Sequence, residues 1–100
     1  MKSGIELIAE ERARQIREEG FYSEQDDQYV MEELASAASC YATPHNWRPF
    51  PVRQDGQAPL IWPWSPKWWK PGEDRIKELQ KAGALIAAEI DRIQRIKSWS

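Results

Sequence analysis

Trp62, Trp64, Trp68 and Trp69 fall within eight residues of one another, interleaved with Lys67 and Lys70. Large flat rings beside cations suit a ligand that is both aromatic and anionic, because a ring stacks on a base while a cation meets a phosphate. These six residues are therefore the first candidates for a ligand site. The same rings also suit a core, since a chain with two Phe and six Trp has few other large apolar groups to bury. A second chemical cluster is the pair Asp26-Asp27, with Arg12 available upstream to balance its charge. On a helical wheel Asp27 falls among Val30, Leu34, Ala38 and Tyr41, so it requires a partner, and Arg12 and Arg17 are the cations to hand. Arg12, Asp26 and Asp27 complete the predicted ligand site. An alternative use of the same carboxylates is magnesium binding by Asp26, Asp27, Glu33 and Glu89, because carboxylate oxygens suit that ion. The primary expectation is no metal and no cofactor.

Other chemistries find little material. Cys40 is the only cysteine and His45 the only histidine, which leaves no disulfide framework and no usual zinc set. Cys40 follows small residues and reads as a packed thiol. His45 lies in a proline-bounded segment beside Asn46 and Trp47, and alone it is weak material for acid–base work. The net charge of -2 gives no basic field for duplex nucleic acid. No apolar run approaches the ~18 residues of a membrane span, and the charged first twenty residues do not resemble a signal peptide. The expectation is a cytoplasmic protein without membrane or duplex partners.

The elements that position these residues follow from periodicity. At 100 residues the chain has material for one domain spanning 1–100. Ile5, Ile8, Ala9, Ala13 and Ile16 predict a helix over 3–19, with Gly20 as its stop and Phe21 folding back on the last turn. Ser23 and Asp26 suggest a capping box for a helix over 24–42, with Val30, Leu34, Ala37, Ala38 and Tyr41 inward. All seven prolines lie between Pro44 and Pro71, which predicts a long ordered loop over 43–72 in place of helix or central strand. Within it, Ser65 and Pro66 begin one helical turn. A helix over 73–97 follows, with Ile76, Leu79, Gly83, Ile86, Ala87, Ile90 and Ile93 on its inner face. The expected fold is all-α, a three-helix domain with a Pro/Trp-rich loop between the second and third helices. Ala82 to Ala88 is apolar on all sides, and Ala84 and Ala88 would let a second copy approach closely, so a homo-oligomer through the third helix is expected.

As a set, Glu11-Arg12-Ala13-Arg14-Gln15-Ile16, Glu19-Gly20-Phe21, Asp26-Asp27, Glu33-Leu34-Ala35, Ala37-Ala38, Tyr41-Ala42, Trp62-Pro63-Trp64, Trp69-Lys70-Pro71 and Lys81 to Ile90 resemble a family of small tailed-phage and prophage proteins. This likeness covers most of the chain and implies the cytoplasm of an infected host cell as the setting. In that family a His commonly precedes the Asp pair, where this chain has Gln25. A fainter likeness is to the all-helical MazG-type nucleotide pyrophosphohydrolases, through Glu32-Glu33-Leu34 and through Glu89 with Asp91. Such enzymes hold magnesium on two carboxylate pairs, and here Ser36 and Arg92 break both. The expectation is a module that binds and sequesters a nucleotide-like small molecule, such as an immune signalling messenger, without turnover. The alternatives are a magnesium-dependent hydrolase and an inhibitor that docks on a host enzyme through exposed tryptophans.

Overall fold

The computed structural model describes residues 1–19, 23–44, 58–72 and 74–99. Among these, α1 spans Gly4–Glu19, α2 Ser23–Asp26, α3 Glu33–Ala42 and α4 Arg75–Trp99, with a single 3₁₀ turn at Pro66–Trp68. No strand is present among the described residues, so the all-α class holds. The expected stop at Gly20, the fold-back of Phe21, and His45 with its neighbours lie outside the described residues.

α1 begins at a reciprocal cap that the sequence carries as Ser3-x-x-Glu6. The Glu6 backbone N–H donates to Ser3 Oγ at 3.2 Å, and the Ser3 N–H donates to Glu6 Oε1 at 3.1 Å. Two otherwise orphaned donors are satisfied together. α4 starts on Asp74, whose Oδ1 accepts from Ile76 N–H at 3.0 Å and Lys77 N–H at 3.3 Å, the usual N-cap arrangement.

The expected single helix over 24–42 is two helices. After α2 the chain passes through turns at Gln28 and Tyr29, then Glu32 takes a left-handed conformation (φ 61°, ψ 33°) before α3. That conformation costs a non-glycine residue on the order of 1–2 kcal/mol. It changes which side chains face inward. Asp26 and Leu34 are fully buried, whereas Val30 and Met31, which a continuous helix would bring toward the core, are 65% and 80% exposed.

The core lies between α3 and α4. Leu34, Ala37, Ala38, Cys40 and Tyr41 pack against Ala82, Leu85 and Ala88, and Ala58 and Trp62 close the cluster. Small residues on both helices allow close approach of the backbones. α1 crosses α4 at Gly83, where Ile8 packs so tightly that a Cβ on the glycine would fall 2.5 Å from Ile8 Cδ1.

The faces of two helices depart from expectation. On α4 the predicted inner residues Ile76, Leu79, Ile86 and Ile90 point outward, and the buried line is Glu78, Ala82, Leu85, Ala88, Glu89 and Arg92. On α1, Ile5 is exposed while Glu11 and Gln15 are buried. Polar residues enter because they arrive with partners: Arg92 Nε donates to Glu89 Oε1 at 2.6 Å, an i,i+3 pair buried on both sides. Ala84 and Ala88, expected to receive a second copy, are wholly buried within this chain. A self-contact through those two alanines is therefore ruled out by their own core packing.

The segment after α3 is tied to both helices. From the first turn of α4, the Arg75 guanidinium donates to the carbonyls of Tyr41 (2.9 Å), Thr43 (3.1 Å) and Ala42, closing the end of α3. Cations are favoured at a helix C-terminus, where carbonyls lack intrahelical donors. Glu78, 1% exposed, holds Arg75 through Oε1 and accepts the Gly72 N–H at Oε2. Tyr41 Oη accepts the Lys70 N–H at 3.2 Å. The Pro/Trp segment thus ends on fixed points.

Candidate functional site

Between α1, the end of α3, the middle of α4 and the tryptophan segment lies a cavity of about 420 Å³, within the ~300–1,000 Å³ typical of small-molecule sites. Its walls are Tyr29, Tyr41, Trp62, Trp64 and Trp68, with Leu85 beneath. Four of these rings form a continuous chain. Trp62 meets Tyr41 edge-on at 5.7 Å and Trp64 edge-on at 5.3 Å, and Tyr29 tilts against Trp64 at 5.2 Å. Trp62 is fixed at its polar end as well, with Nε1 donating to the Ser65 carbonyl at 3.1 Å. The 3₁₀ turn, with Ser65 at the N-cap and Pro66 opening it as expected, leaves Trp68 55% exposed. Lys67 Nζ and Lys70 Nζ lie 5.3 and 5.7 Å from its ring, a distance at which a cation is drawn to an aromatic face.

The polar wall comes from one side of α1, where Glu11, Arg14 and Gln15 sit at i, i+3 and i+4. Arg14 grips the Glu11 carboxylate with both ends of its fork, Nε to Oε1 at 2.8 Å and Nη2 to Oε2 at 2.7 Å. Gln15 Nε2 adds a donor to Oε2 at 3.2 Å. Burial alone would raise the Glu11 carboxyl, but the Arg14 fork, the Gln15 amide and the nearby Lys81 charge outweigh it and hold Glu11 below the ordinary range. Lys81 lies 5.3 Å from the Tyr41 ring and donates to the Lys70 carbonyl. Gln25 completes this side, its amide donating to Tyr29 Oη at 2.8 Å. The result is an aromatic slot with a neutralised acidic floor and Arg14, Lys70 and Lys81 around it.

Of the predicted ligand residues, Trp62, Trp64, Trp68 and Lys70 line this cavity. Lys67 contacts only the outer ring of Trp68 among these groups, and Trp69 stacks on Tyr41 at 4.8 Å, away from the lining. Arg12, Asp26 and Asp27 form a separate structural junction. Arg12 Nη2 reaches Asp26 Oδ2 at 3.3 Å and Asp91 at 3.8 Å, while Arg95 holds Asp27 at 2.7 Å. The buried carboxylate is Asp26, not Asp27, because the turn after α2 swings Asp27 out to Arg95. Burial pushes the Asp26 carboxyl up, and the Arg12 guanidinium recovers only part of that cost.

The alternative magnesium set is not assembled. Glu89 is committed to Arg92, Glu33 Oε1 accepts the Met31 N–H, and the two aspartates hold arginines. Among the described residues no group of three His, Cys, Asp or Glu side chains is placed to hold a metal, and none of the helices is long and apolar enough to cross a membrane. Cys40 is a fully buried thiol within the core cluster. Sequence reasoning missed Glu11, Arg14, Gln15, Gln25, Tyr29, Tyr41 and Lys81. The i,i+3,i+4 spacing of the three α1 residues is the available signal, hidden because the apolar stripe of Ile5, Ile8, Ala9, Ala13 and Ile16 points to a different inner face. The site defines an all-α protein with an aromatic, cation-rimmed pocket. Comparisons with family models, curated proteins and solved structures returned no match.

Proposed function

We propose that this protein is a binding module for a nucleotide-like small molecule, held without turnover. The observation that carries the reading is the combination in one cavity of five aromatic walls with Arg14, Lys70 and Lys81. A base would stack against Trp64 and Trp68, and its phosphate would meet the cations. The likeness to phage proteins suggests the setting, sequestration of a signalling nucleotide. Self-association belongs to the same reading, carried by the outward Ile86 and Ile90 of α4 in place of Ala84 and Ala88.

Titration of nucleoside monophosphates against intrinsic tryptophan fluorescence, with and without magnesium, tests it, with chromatography of the mixtures checking for turnover. Quenching that saturates without product is expected. Trp68→Ala should weaken binding by roughly fivefold to a hundredfold, the equivalent of ~1–3 kcal/mol of stacking. Lys70→Ala and Lys81→Ala should weaken it and also flatten its salt dependence, since exposed charge contacts are screened within about 8–10 Å. Magnesium-dependent cleavage would replace this reading with a hydrolase.

A further inference from the structure

The cations of this chain are unevenly compensated. Each described arginine lies against a carboxylate: Arg12 at Asp26, Arg14 at Glu11, Arg17 at Glu18, Arg75 at Glu78, Arg92 at Glu89 and Arg95 at Asp27. Arg14 is engaged twice, on Glu11 through its fork and on Glu18 through Nη1. Lys67, Lys70 and Lys81 have no carboxylate partner among the described residues. Their ammonium groups lie over rings instead, Lys67 and Lys70 at Trp68 and Lys81 at Tyr41. Lys67 and Lys70 are exposed and Lys81 is half-buried, so a ligand reaches all three. Their placement has a direction. Lys70 and Lys81 line the cavity and are joined, Lys81 Nζ donating to the Lys70 carbonyl at 3.2 Å. Lys67 stands outside the lining, beside the exposed face of Trp68. A row of one sign of charge therefore runs from the cavity outward past Trp68, and such a row concentrates anions at its mouth.

Resting on the nucleotide reading above, we infer that the ligand carries a chain of two or more phosphates, as a nucleoside di- or triphosphate does, laid along this row of lysines. The base stacks inside the cavity, the first phosphate meets Lys70 and Lys81, and the terminal phosphate reaches Lys67. An ammonium is a compact charge with three rotatable donors, which suits successive phosphate oxygens without imposing one fixed geometry. A ligand with a single phosphate leaves Lys67 without a counter-charge. The Glu11 carboxylate does not repel the chain strongly, because the Arg14 fork already balances it.

The test uses the whole chain with the mono-, di- and triphosphates of adenosine and of uridine, each titrated by tryptophan quenching at low salt. Within a series the base is constant, so the comparison needs no variant. Each added phosphate should tighten binding by about fivefold, the factor for one close charge contact in water, and added salt should weaken the triphosphate more steeply than the monophosphate. Lys67→Ala, a change at an exposed side chain, should shrink the advantage of the triphosphate over the monophosphate by about fivefold, whereas Lys70→Ala should weaken every member of the series. Inorganic triphosphate should displace the nucleotide only at roughly fivefold to a hundredfold higher concentration, because it has no base to stack; displacement at equal concentration overturns the nucleoside part of the ligand. Equal affinity for mono-, di- and triphosphate, or a Lys67→Ala loss as large for the monophosphate as for the triphosphate, overturns the phosphate-chain inference and leaves nucleotide binding standing. No quenching by any nucleotide overturns both.

Discussion

Trp62 and Trp68 stand six residues apart, yet substitution of each by Ala should act on different properties. Trp62 is 4% exposed and touches Tyr41, Trp64 and Trp69. A buried aromatic of this size removes up to ~250 Å² from water, worth about 6 kcal/mol at ~25 cal/mol per Å². Residual burial in the unfolded chain trims that by ~10–40%, to about 4 kcal/mol, within the ~3–5 kcal/mol found for Trp→Ala in cores. A domain of this length has about 5–15 kcal/mol in total. Trp62→Ala should therefore lower Tm by roughly 15–30 °C, at about 4–8 °C per kcal/mol. Trp68, more than half exposed, should cost about 2 kcal/mol on the same accounting, roughly half the Trp62 figure, while weakening ligand binding. Thermal melts followed by far-ultraviolet circular dichroism measure the first quantity and fluorescence titration the second. Trp62→Ala melting within a few degrees of wild type, or Trp68→Ala unfolding the chain, would refute the division of the tryptophan segment into core ring and pocket ring.

Gly83→Ala should destabilise the protein despite the better helix propensity of Ala, because overpacking at ~1–3 kcal/mol outweighs a gain of about 1 kcal/mol. Adding Ile8→Ala should recover part of the loss in the same melts, and strict additivity of the two would show that they do not touch. Two carboxylates should give opposite pH signatures. Glu11 is held below its ordinary range, so its stabilisation is present above the unfolded-state pKa and lost as pH falls; Glu11→Gln should be destabilising at neutral pH and converge on wild type in acid. Asp26 is raised, so its stabilising contribution is present below the unfolded-state pKa and lost as pH rises. Asp26→Asn should accordingly compare best with wild type at neutral pH and lose that advantage toward about pH 3, in thermal melts across the range.

The helical class and the bounds of α1 and α4 follow closely from periodicity and caps, and the Ser3/Glu6 box was there to be read. The faces were not legible, because the usual inference sends apolar residues inward. Here Glu11, Gln15, Glu78, Glu89 and Arg92 are buried, with pairings three or four residues apart for Glu11, Glu78 and Glu89. Such pairs look identical in sequence to the solvent-exposed pairs that decorate ordinary surface helices. The break before α3 was equally hidden, since nothing about Glu32 as a residue type announces a left-handed conformation. For the site, the rings identified one wall and their interleaved lysines part of the rim. The other wall depended on the register of α1 against α4, a tertiary quantity that no local pattern carries.

The grip of Arg75 and Glu78 on the end of α3 and on Gly72 makes three segments share one set of fastenings. The tryptophan segment cannot peel away while α3 and α4 remain intact, nor can α4 fray at its start without releasing a wall of the cavity. Opening of the pocket is then a sub-global event. The amides of Lys70 and Gly72, although they belong to a segment without regular structure, should exchange with solvent on the slow clock of the helices that hold them.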